Sequence, residues 1–535
     1  MATGIRNPKA IVAALLLLQI AAFCSPWPLS TKSRWIVDDA SGQRVKLTCV
    51  NWPSHLEPMI AEGVEKQPVS DTAKKIIETG FNCVRFTWPT FMFTRPDYGN
   101  LKVSESLDKY NLSAAKDGIA KNNPQFLNMT VVELHKAVVD ELGKNKVMVV
   151  LDNHVSRPSW CCGYDDGQGF FGDADFSPEE WLQGLDTVAN TYKGNPAVVG
   201  MSMRNELRGN RQNEADWYKY MQQGANTIHA QSPDFLVIVS GLNTAGNLGY
   251  LRSQPLAVSF SNKLVYEAHW YAFGTPADQW ATQTNQLCAS ATRSTHDNFF
   301  YLTQGNNSFP LFLSEFGINL SGDNEGDNRY IGCLLAAVAE ADVEWALWAF
   351  QGSYILREGT VDLEELYGVL DRSWDHPRSP AFLDRLQVVQ QINQDFKSQN
   401  PTYYKMLHPL SGHCVQIVGS DIVVANCKNA SRWEQHQDGG PIKLVASPQC
   451  LGVAGDGAAP RLSEDCSSMW KLVSSSGLHL AAQNENGANL CLEMNAADSK
   501  VVTTKCLCVG DDLADLPTCA DNPQSQWFKF IPSNI

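Results

Sequence analysis

Eight short apolar segments, spaced along residues 30–400, most strongly constrain how this chain can fold. Each has the length of a buried strand, and most of the gaps contain apolar residues at helical spacing, as in 70–79 and 129–142. Eight strands that alternate with helices predict a (β/α)8 barrel with insertions, in the α/β class. A doubly wound open sheet, which usually has fewer strands, is the alternative. The segments are 45–50, 83–88, 147–151, 198–203, 236–240, 264–268, 311–313 and 344–350.

The length of 535 residues requires more than one domain, and the chain changes character near residue 400. The barrel domain is predicted to span 30–400, and the polar residues 401–410 are predicted to be a linker. Residues 411–533 contain short apolar runs and eight of the 15 cysteines, which predicts an all-β domain with disulfides. A zinc site is disfavoured, because this segment has no CxxC pair.

The formal net charge of −15 argues against a nucleic acid or an anionic membrane as partner, since both attract basic surfaces. Residues 1–24 are predicted to be a signal peptide, because a basic start precedes an apolar stretch too short for most membrane spans. An uncleaved anchor is the alternative. The mature chain is therefore expected to have no membrane span and to be secreted, in the extracellular space or a cell wall. Five sequons are candidate glycosylation sites: Asn111, Asn128, Asn306, Asn319 and Asn429.

Polar and aromatic side chains accompany six of the eight apolar segments. Glu206 follows the fourth segment and Glu315 follows the seventh, where a barrel of parallel strands exposes its functional groups. Two carboxylates so placed suit cleavage of a glycosidic bond, which needs a proton donor and a nucleophile or base. Arg85 lies inside an apolar segment and is expected to have a buried carboxylate partner. The other candidate residues are His154, Asn205, His269, Tyr271 and Trp348.

These residues, in this order on strands 2, 3, 4, 6, 7 and 8, resemble glycoside hydrolase family 5, the cellulase-type branch of the barrel glycosidases. The resemblance implies that Glu206 is the acid/base and that Glu315 is the nucleophile, held by Arg85 and Tyr271. It further implies that Asn205 contacts the sugar 2-hydroxyl. It also implies that His154 and His269 position the substrate or the acid/base, and that Trp348 is the sugar platform. The sequence departs from the family pattern at Arg204 and Leu207, which flank the Asn-Glu pair.

The resemblance implies a secreted, retaining β-glycosidase that hydrolyses a β-linked glycan, of endoglucanase or mannanase type, without a metal or cofactor. The pKa of Glu206 is expected to be raised, and that of Glu315 to be lowered by the neighbouring Arg and Tyr. A transglycosylase acting on a cell-wall glycan is one alternative. A catalytically silent carbohydrate-binding protein is the other, although both glutamates are present.

The C-terminal segment has threefold character, since CVQI, CLGV and CLEM begin at 414, 450 and 491, and a Trp closes each repeat. This pattern resembles a ricin B-type β-trefoil lectin of a plant-type secreted protein. The resemblance implies the disulfides Cys414–Cys427, Cys450–Cys466 and Cys491–Cys506, and the insertion in the third repeat suggests Cys508–Cys519. The resemblance also implies a glycan ligand, but the usual Asp and Gln positions of such lectins hold other residues: Gln416, Gly452, Glu493, Ser431, Ser468 and Ser525.

Overall fold

A computed structural model describes residues 28–509 and 522–535, so the predicted signal peptide and Cys519 lie outside the described residues. Eight parallel strands, which pair in chain order, close into a barrel because the last pairs with the first; this confirms the predicted barrel and excludes the open sheet. A hairpin of β1 (Leu29–Lys32) and β2 (Trp35–Asp38) precedes it, and a hairpin of β11 (Ser353–Arg357) and β12 (Thr360–Glu364) follows it. The barrel strands are β3 (Thr48–Trp52), β4 (Cys83–Pro89), β5 (Met148–Val155), β6 (Val198–Ser202), β7 (Leu236–Ser240), β8 (Leu264–His269), β9 (Leu311–Phe316) and β10 (Glu344–Leu347).

Helices surround the barrel and follow most of its strands. The helix Val131–Lys144 begins at Thr130, whose hydroxyl accepts a hydrogen bond from the Glu133 amide, while Glu133 caps the Thr130 amide in return. Within the described residues, no helix longer than four residues lies between β7 and β8. The longer helices are Val69–Glu78, Val103–Lys109, Ser113–Asn122, Val131–Lys144, Pro178–Tyr192, Glu214–Gln231, Ala277–Thr282, Thr284–Asn298, Glu325–Ala341 and Pro380–Gln390. The shorter ones are Thr90–Thr94, Pro96–Gly99 and Leu242–Ala245.

The described C-terminal residues, 403–509 and 522–535, form a β-rich domain of ten strands in three sheets. Three tryptophans, Trp433, Trp470 and Trp527, are completely buried in it. The sheets are consistent with a trefoil, which stays a prediction. The strands are β13 (Tyr403–His408), β14 (His413–Val418), β15 (Asp421–Ala425), β16 (Cys450–Gly452), β17 (Arg461–Ser463), β18 (Lys471–Leu472), β19 (Leu480–Gln483), β20 (Asn489–Met494), β21 (Val501–Lys505) and β22 (Lys529–Ser533).

The prediction of a linker over 401–410 is wrong for residues 403–408, which form the strand β13 between β14 and β22. Its polar residues find partners inside the protein: Lys405 Nζ donates to Asn393 Oδ1 at 2.9 Å, and His408 Nδ1 lies 2.9 Å from Ser411 Oγ. A strand that is paired on both edges can bury such residues, since its backbone groups are satisfied. The polar residues of this segment therefore belong to a strand whose side chains have partners, and not to a loop.

The two domains share one hydrophobic core, because Leu478, Trp527 and Ile531 pack with the side chains between the barrel strands and helices. The barrel residue Arg385 is buried beside this junction and donates from Nε to Pro409 O at 2.8 Å. Among the described residues, no helix is long and apolar enough to cross a membrane.

Disulfides join six pairs of the described cysteines. Two of them tie the barrel domain together across long stretches of chain, Cys49–Cys83 between β3 and β4 and Cys288–Cys333 between two helices. A third joins the neighbours Cys161 and Cys162. The three in the C-terminal domain are the pairs that the trefoil resemblance implies, Cys414–Cys427, Cys450–Cys466 and Cys491–Cys506. Cys508 is also disulfide-bonded.

Substitution Glu62→Gln is expected to stabilise the protein at high pH only. Glu62 is completely buried, accepts a hydrogen bond from the Ile355 amide at 2.5 Å, and has its pKa raised well above the ordinary value by burial and by Glu65. The folded wild type therefore loses stability as the pH rises from the unfolded pKa near 4.5 towards the higher folded pKa, whereas Gln cannot ionise. Thermal unfolding of both proteins between pH 4.5 and 8 tests this, with the exposed Glu78→Gln as control. A difference that shrinks as the pH rises would contradict it.

Candidate active site

The structure brings all eight predicted site residues together at the C-terminal end of the barrel. Glu206 lies four residues beyond the end of β6, and Glu315 lies near the end of β9. Both open into a cleft of 740 Å³, a volume suited to a small ligand or a few sugar units. Residues from loops, from two helices and from a strand complete the walls of the cleft: Trp160, Cys161, Cys162, Thr244, Phe273, Asn298, Arg357, Glu365 and Tyr367.

Arg85, on β4, is the central positive charge of the site and is completely buried. Its Nη1 donates to Glu315 Oε1 at 2.8 Å, which provides the expected carboxylate partner. Its Nη2 donates to Asn205 Oδ1 at 2.9 Å and lies 3.0 Å from Asp152 Oδ1 and 3.5 Å from Glu267 Oε2. Burial opposes the charge of Arg85, but the three carboxylates outweigh it and raise the pKa of the guanidinium. Arg85 thus holds both the candidate nucleophile, Glu315, and the side-chain amide of Asn205, the residue that precedes Glu206.

The two glutamates face each other across the cleft, with carboxylate oxygens within 4.8 Å. His269 Nδ1 lies 2.9 Å from Glu206 Oε1 and 3.7 Å from Glu315 Oε2. The Tyr271 hydroxyl donates to Glu315 Oε2 at 3.2 Å. Glu315 therefore receives hydrogen bonds on both oxygens, while Glu206 is held by a histidine on one of them.

Burial raises the pKa of both glutamates to about 7. The expected lowering of the Glu315 pKa is wrong: His269 and Arg85 act in that direction, but the loss of solvation is larger. Two acids this close titrate as a pair that keeps one proton near neutral pH. Because Arg85 and Tyr271 stabilise negative charge on Glu315, the shared proton belongs on Glu206. Burial lowers the pKa of His269, so its imidazole is neutral.

His154 and Trp348 form a stacked wall of the cleft, with ring centroids 5.4 Å apart. His154 Nδ1 lies 2.6 Å from Asp152 Oδ2, which fixes the ring, and its Nε2 lies 3.3 Å from Asn205 Nδ2. On its other face His154 stacks on His55 at 4.0 Å. Burial lowers the pKa of His154 well below its ordinary value, so this wall is uncharged.

Sequence reasoning missed four buried polar residues that support the site. Asp152 and Glu267 are the second and third carboxylates on Arg85, and burial raises the pKa of each. Asn51 accepts from Arg85 at 3.0 Å, and His55 Nδ1 lies 2.7 Å from Thr87 Oγ1. A signal existed for Glu267, which precedes His269 by two residues and so shares its face of the strand.

Arg204, where the family pattern departs, is completely buried and anchors the loop after β5. Its Nη2 donates to Gln168 O at 2.6 Å, its Nη1 donates to Asn153 Oδ1 at 3.1 Å, and its guanidinium lies 3.9 Å above the Phe176 ring. Leu207 is also completely buried. The departures therefore shape the loop that carries Cys161 and Cys162.

Two groups of side chains in the cleft have the spacing of metal ligands. The first contains Cys161 and Cys162, but these two are bonded to each other and offer no thiolate. The second is Glu206, His269 and Glu315. In this group the carboxylate of Glu315 is already neutralised by Arg85, and that of Glu206 already contacts His269. Proton transfer and nucleophilic attack are the chemistry that these contacts favour.

Substitution Tyr271→Phe is expected to move the acid limb of the pH–rate profile to higher pH. Without the hydroxyl, ionised Glu315 loses a hydrogen bond, so its pKa rises further above the ordinary value. The ring is retained, together with its stacking on Phe273 at 4.5 Å. Measurement of kcat/KM against pH on an aryl β-glycoside tests this, and the basic limb serves as the internal control. An acid limb that stays in place would show that the hydroxyl does not act on Glu315.

Comparisons with known proteins show what the whole chain is similar to. The model of the family described as Cellulase (glycosyl hydrolase family 5) matches residues 38–353. A "Glycosyl hydrolase 5 family protein" of Chamaecyparis obtusa is 41% identical over 541 residues, covering 98% of this chain and 96% of that protein. An "Endoglucanase" of Paenibacillus polymyxa is 22% identical over 307 residues, covering 54% of this chain and 70% of its own length.

A solved structure shares the fold of the barrel. The endocellulase of Pyrococcus horikoshii, in complex with cellotetraose, has a TM-score of 0.55 and 16% identity, and covers 69% of this chain and 99% of that chain. The family match extends over more than half of the chain. The chain therefore belongs to glycoside hydrolase family 5 and is a glycoside hydrolase that acts on O-glycosyl bonds.

Proposed function

We propose that the protein is a retaining β-glycosidase that hydrolyses a β-linked glucan-type glycan, with Glu315 as nucleophile and Glu206 as acid/base. The observation that carries the proposal is the approach of the two carboxylates, whose oxygens lie within 4.8 Å. Retaining glycosidases hold their carboxyl groups about 5–5.5 Å apart, whereas inverting ones need about 6.5–9.5 Å for a water molecule. The cleft of this protein leaves no such gap between the two acids.

The mechanism follows from the contacts of each acid. Glu315, ionised beside Arg85, attacks the anomeric carbon while Glu206 gives its proton to the departing glycosidic oxygen. The bond from the anomeric carbon to that oxygen breaks, and a covalent ester of the sugar with Glu315 forms. Glu206, now ionised, removes a proton from water, whose oxygen displaces Glu315 and restores both acids. Because burial raises the pKa of Glu206 to about 7, this acid still holds its proton near neutral pH, and it can give the proton up in the first step and take one back in the second.

The choice of a β-glucan rests on the relatives and on the shape of the cleft. The Paenibacillus polymyxa relative is an endoglucanase, and the Pyrococcus horikoshii endocellulase binds cellotetraose. In this chain, Trp348 and Trp160 line the cleft and offer flat apolar faces to the C–H groups of a sugar. A mannan is the runner-up, and a panel of β-glucans and β-mannans separates the two.

The first product released from a β-glycoside is expected to be the β anomer. Two successive displacements at the anomeric carbon, by Glu315 and then by water, restore the original configuration. Proton NMR during the first minutes of hydrolysis, before mutarotation, shows which anomer forms. The same experiment with an added sugar acceptor measures transglycosylation, since the acceptor would compete with water for the covalent intermediate. An α anomer formed first would contradict the retaining mechanism.

The proposal includes secretion to the extracellular space or a cell wall. Six disulfides among the described residues suit an oxidising compartment. Four sequon asparagines are exposed, and Asn319 is partly buried; the exposed ones are Asn111, Asn128, Asn306 and Asn429. Treatment of the secreted protein with a glycosidase specific for N-glycans, followed by mass measurement, tests this.

A glycan ligand of the C-terminal domain is a separate proposal. The residues at the usual sugar positions bond within the domain: Gln416 Nε2 donates to Asn426 O at 2.5 Å, and Gln526 Nε2 donates to Glu493 Oε2 at 3.1 Å. The hydroxyls of Ser431 and Ser468 accept hydrogen bonds from backbone amides of the domain at 2.9 and 3.0 Å. Because these side chains already have partners within the domain, the glycan proposed as substrate is assigned to the barrel cleft.

A further inference from the structure

The disulfide between Cys161 and Cys162 lies in the wall of the cleft, and the proposed mechanism assigns it no role. Its stabilising effect through the unfolded chain is negligible, because such an effect grows with the length of the loop that is closed and these residues are neighbours. The other barrel disulfides span 34 and 45 residues. Stability therefore does not explain this disulfide, and its position in the wall of the cleft needs another explanation.

Both sulfur atoms contact the Asn205 side chain and lie near the carboxylate of Glu206. Each Sγ lies 3.7 Å from Asn205 Nδ2, and both lie within 4.8 Å of a carboxylate oxygen of Glu206. The side-chain oxygen of Asn205 accepts from Arg85, and its nitrogen contacts His154 Nε2 and the two sulfurs, which are weak acceptors. A substrate hydroxyl would be a stronger acceptor for this N–H group than either sulfur.

The loop around the pair is anchored on both sides without the S–S bond. Trp160 packs edge-on against Trp348 and Tyr354, with the Arg357 guanidinium 3.5 Å above its ring. On the other side, Arg208 Nε donates to Gly163 O at 2.8 Å. Replacement of the two cysteines should therefore remove the disulfide surface and leave the course of the loop intact.

We propose that the Cys161–Cys162 disulfide is part of the substrate site: it contacts the sugar at the scissile bond and keeps Asn205 Nδ2 directed at that sugar's 2-hydroxyl. The inference rests on the proposed function and names a determinant of substrate positioning within it. The two sulfurs provide a compact, polarisable and apolar surface beside the acid/base, suited to the C–H groups of a sugar ring. Hydrogen bonds to the 2-hydroxyl strengthen in the transition state of glycoside hydrolysis, so the orientation of Asn205 bears on the rate.

The test is the double variant Cys161→Ser/Cys162→Ser, assayed on the β-glycoside that the wild type hydrolyses best. The melting temperature should stay near that of the wild type, whereas kcat/KM should fall by about 10- to 100-fold, since a displacement of about 1 Å can have the latter effect. Cys450→Ser/Cys466→Ser, in the C-terminal domain, is the matched control; it should lower the melting temperature and leave kcat/KM unchanged. An unchanged kcat/KM in the first variant would overturn the proposal.

A double-mutant cycle with Asn205→Ala tests the second part of the proposal. If the disulfide acts through the amide, the loss caused by Cys161→Ser/Cys162→Ser should be much smaller in the Asn205→Ala background than in the wild type. Equal losses in the two backgrounds would overturn the role in orienting Asn205.

Failure of the proposed function is recognised separately, by a wild type that cleaves no β-glycoside or forms the α anomer first. The contact with sugar is then judged from binding alone. Titration calorimetry with cellotetraose, on Glu315→Gln with and without the disulfide, should show weaker binding without it. Equal affinities, or no binding to either protein, would overturn the contact.

Discussion

Substitution Glu315→Gln is expected to abolish hydrolysis while leaving the fold intact. The amide has nearly the shape of the acid and still accepts the hydrogen bond from Arg85, but it cannot form the covalent intermediate. Removal of the nucleophile of a serine protease lowers kcat by about 10⁶-fold, and a loss of this order is expected here. Initial rates on an aryl β-glycoside, together with thermal unfolding, measure the two quantities.

The matched control is Glu344→Gln. Glu344 is also a buried barrel glutamate, and burial raises its pKa to about 7, but it lies at the beginning of β10, at the opposite end of the strands from the cleft. Its substitution should leave kcat unchanged. If Glu315→Gln kept more than about a hundredth of the wild-type rate, the assignment of the nucleophile would be refuted, given that enzymes accelerate reactions at least about 10⁶-fold.

Substitution Arg85→Met is expected to have the largest effect on stability. It leaves the carboxylates of Asp152, Glu267 and Glu315 without their shared cation, and the first two of these side chains are completely buried. Removal of one partner of a buried ion pair destabilises a protein by about 3–5 kcal/mol. Activity should be lost as well, since the orientation of Glu315 and Asn205 depends on Arg85.

The pH dependence identifies the cause of the destabilisation. Since the carboxyl groups left behind can take up protons at low pH, the difference in unfolding free energy between wild type and Arg85→Met should be smaller at pH 5 than at pH 8. Denaturant unfolding at both pH values measures it. Arg85→Lys is the control, because it keeps the charge and removes only the forked geometry. A loss of stability that is equal at the two pH values would contradict the electrostatic account.

Some features of the site were predictable because they depend on local pattern. The alternation of apolar segments with helical spacers predicted the barrel, and the place of Glu206 and Glu315 after two of those segments predicted a shared edge. An arginine within an apolar strand predicted a buried acid, which is Glu315. Each of these conclusions needs only the period of the strand and the preference of apolar groups for the interior.

Other features depended on distances that the sequence does not contain. The pKa of Glu315 follows from a balance between burial, which raises it, and the pull of Arg85 and His269, and only packing decides which is larger. The segment 403–408 reads as a polar linker, but two neighbouring strands and Asn393 satisfy its groups, so it forms part of a sheet.

The sequence by itself determined the order of strands and helices, the two glutamates and the positions of the cysteines, because these follow from residue type and spacing. The tertiary structure alone decided that Asp152, Glu267 and Glu315 share one arginine, and that the adjacent cysteines touch Asn205. The reason is physical: ionisation and orientation in a buried site depend on the total field of groups from distant strands, and only the closed barrel brings those groups within a few ångströms of each other.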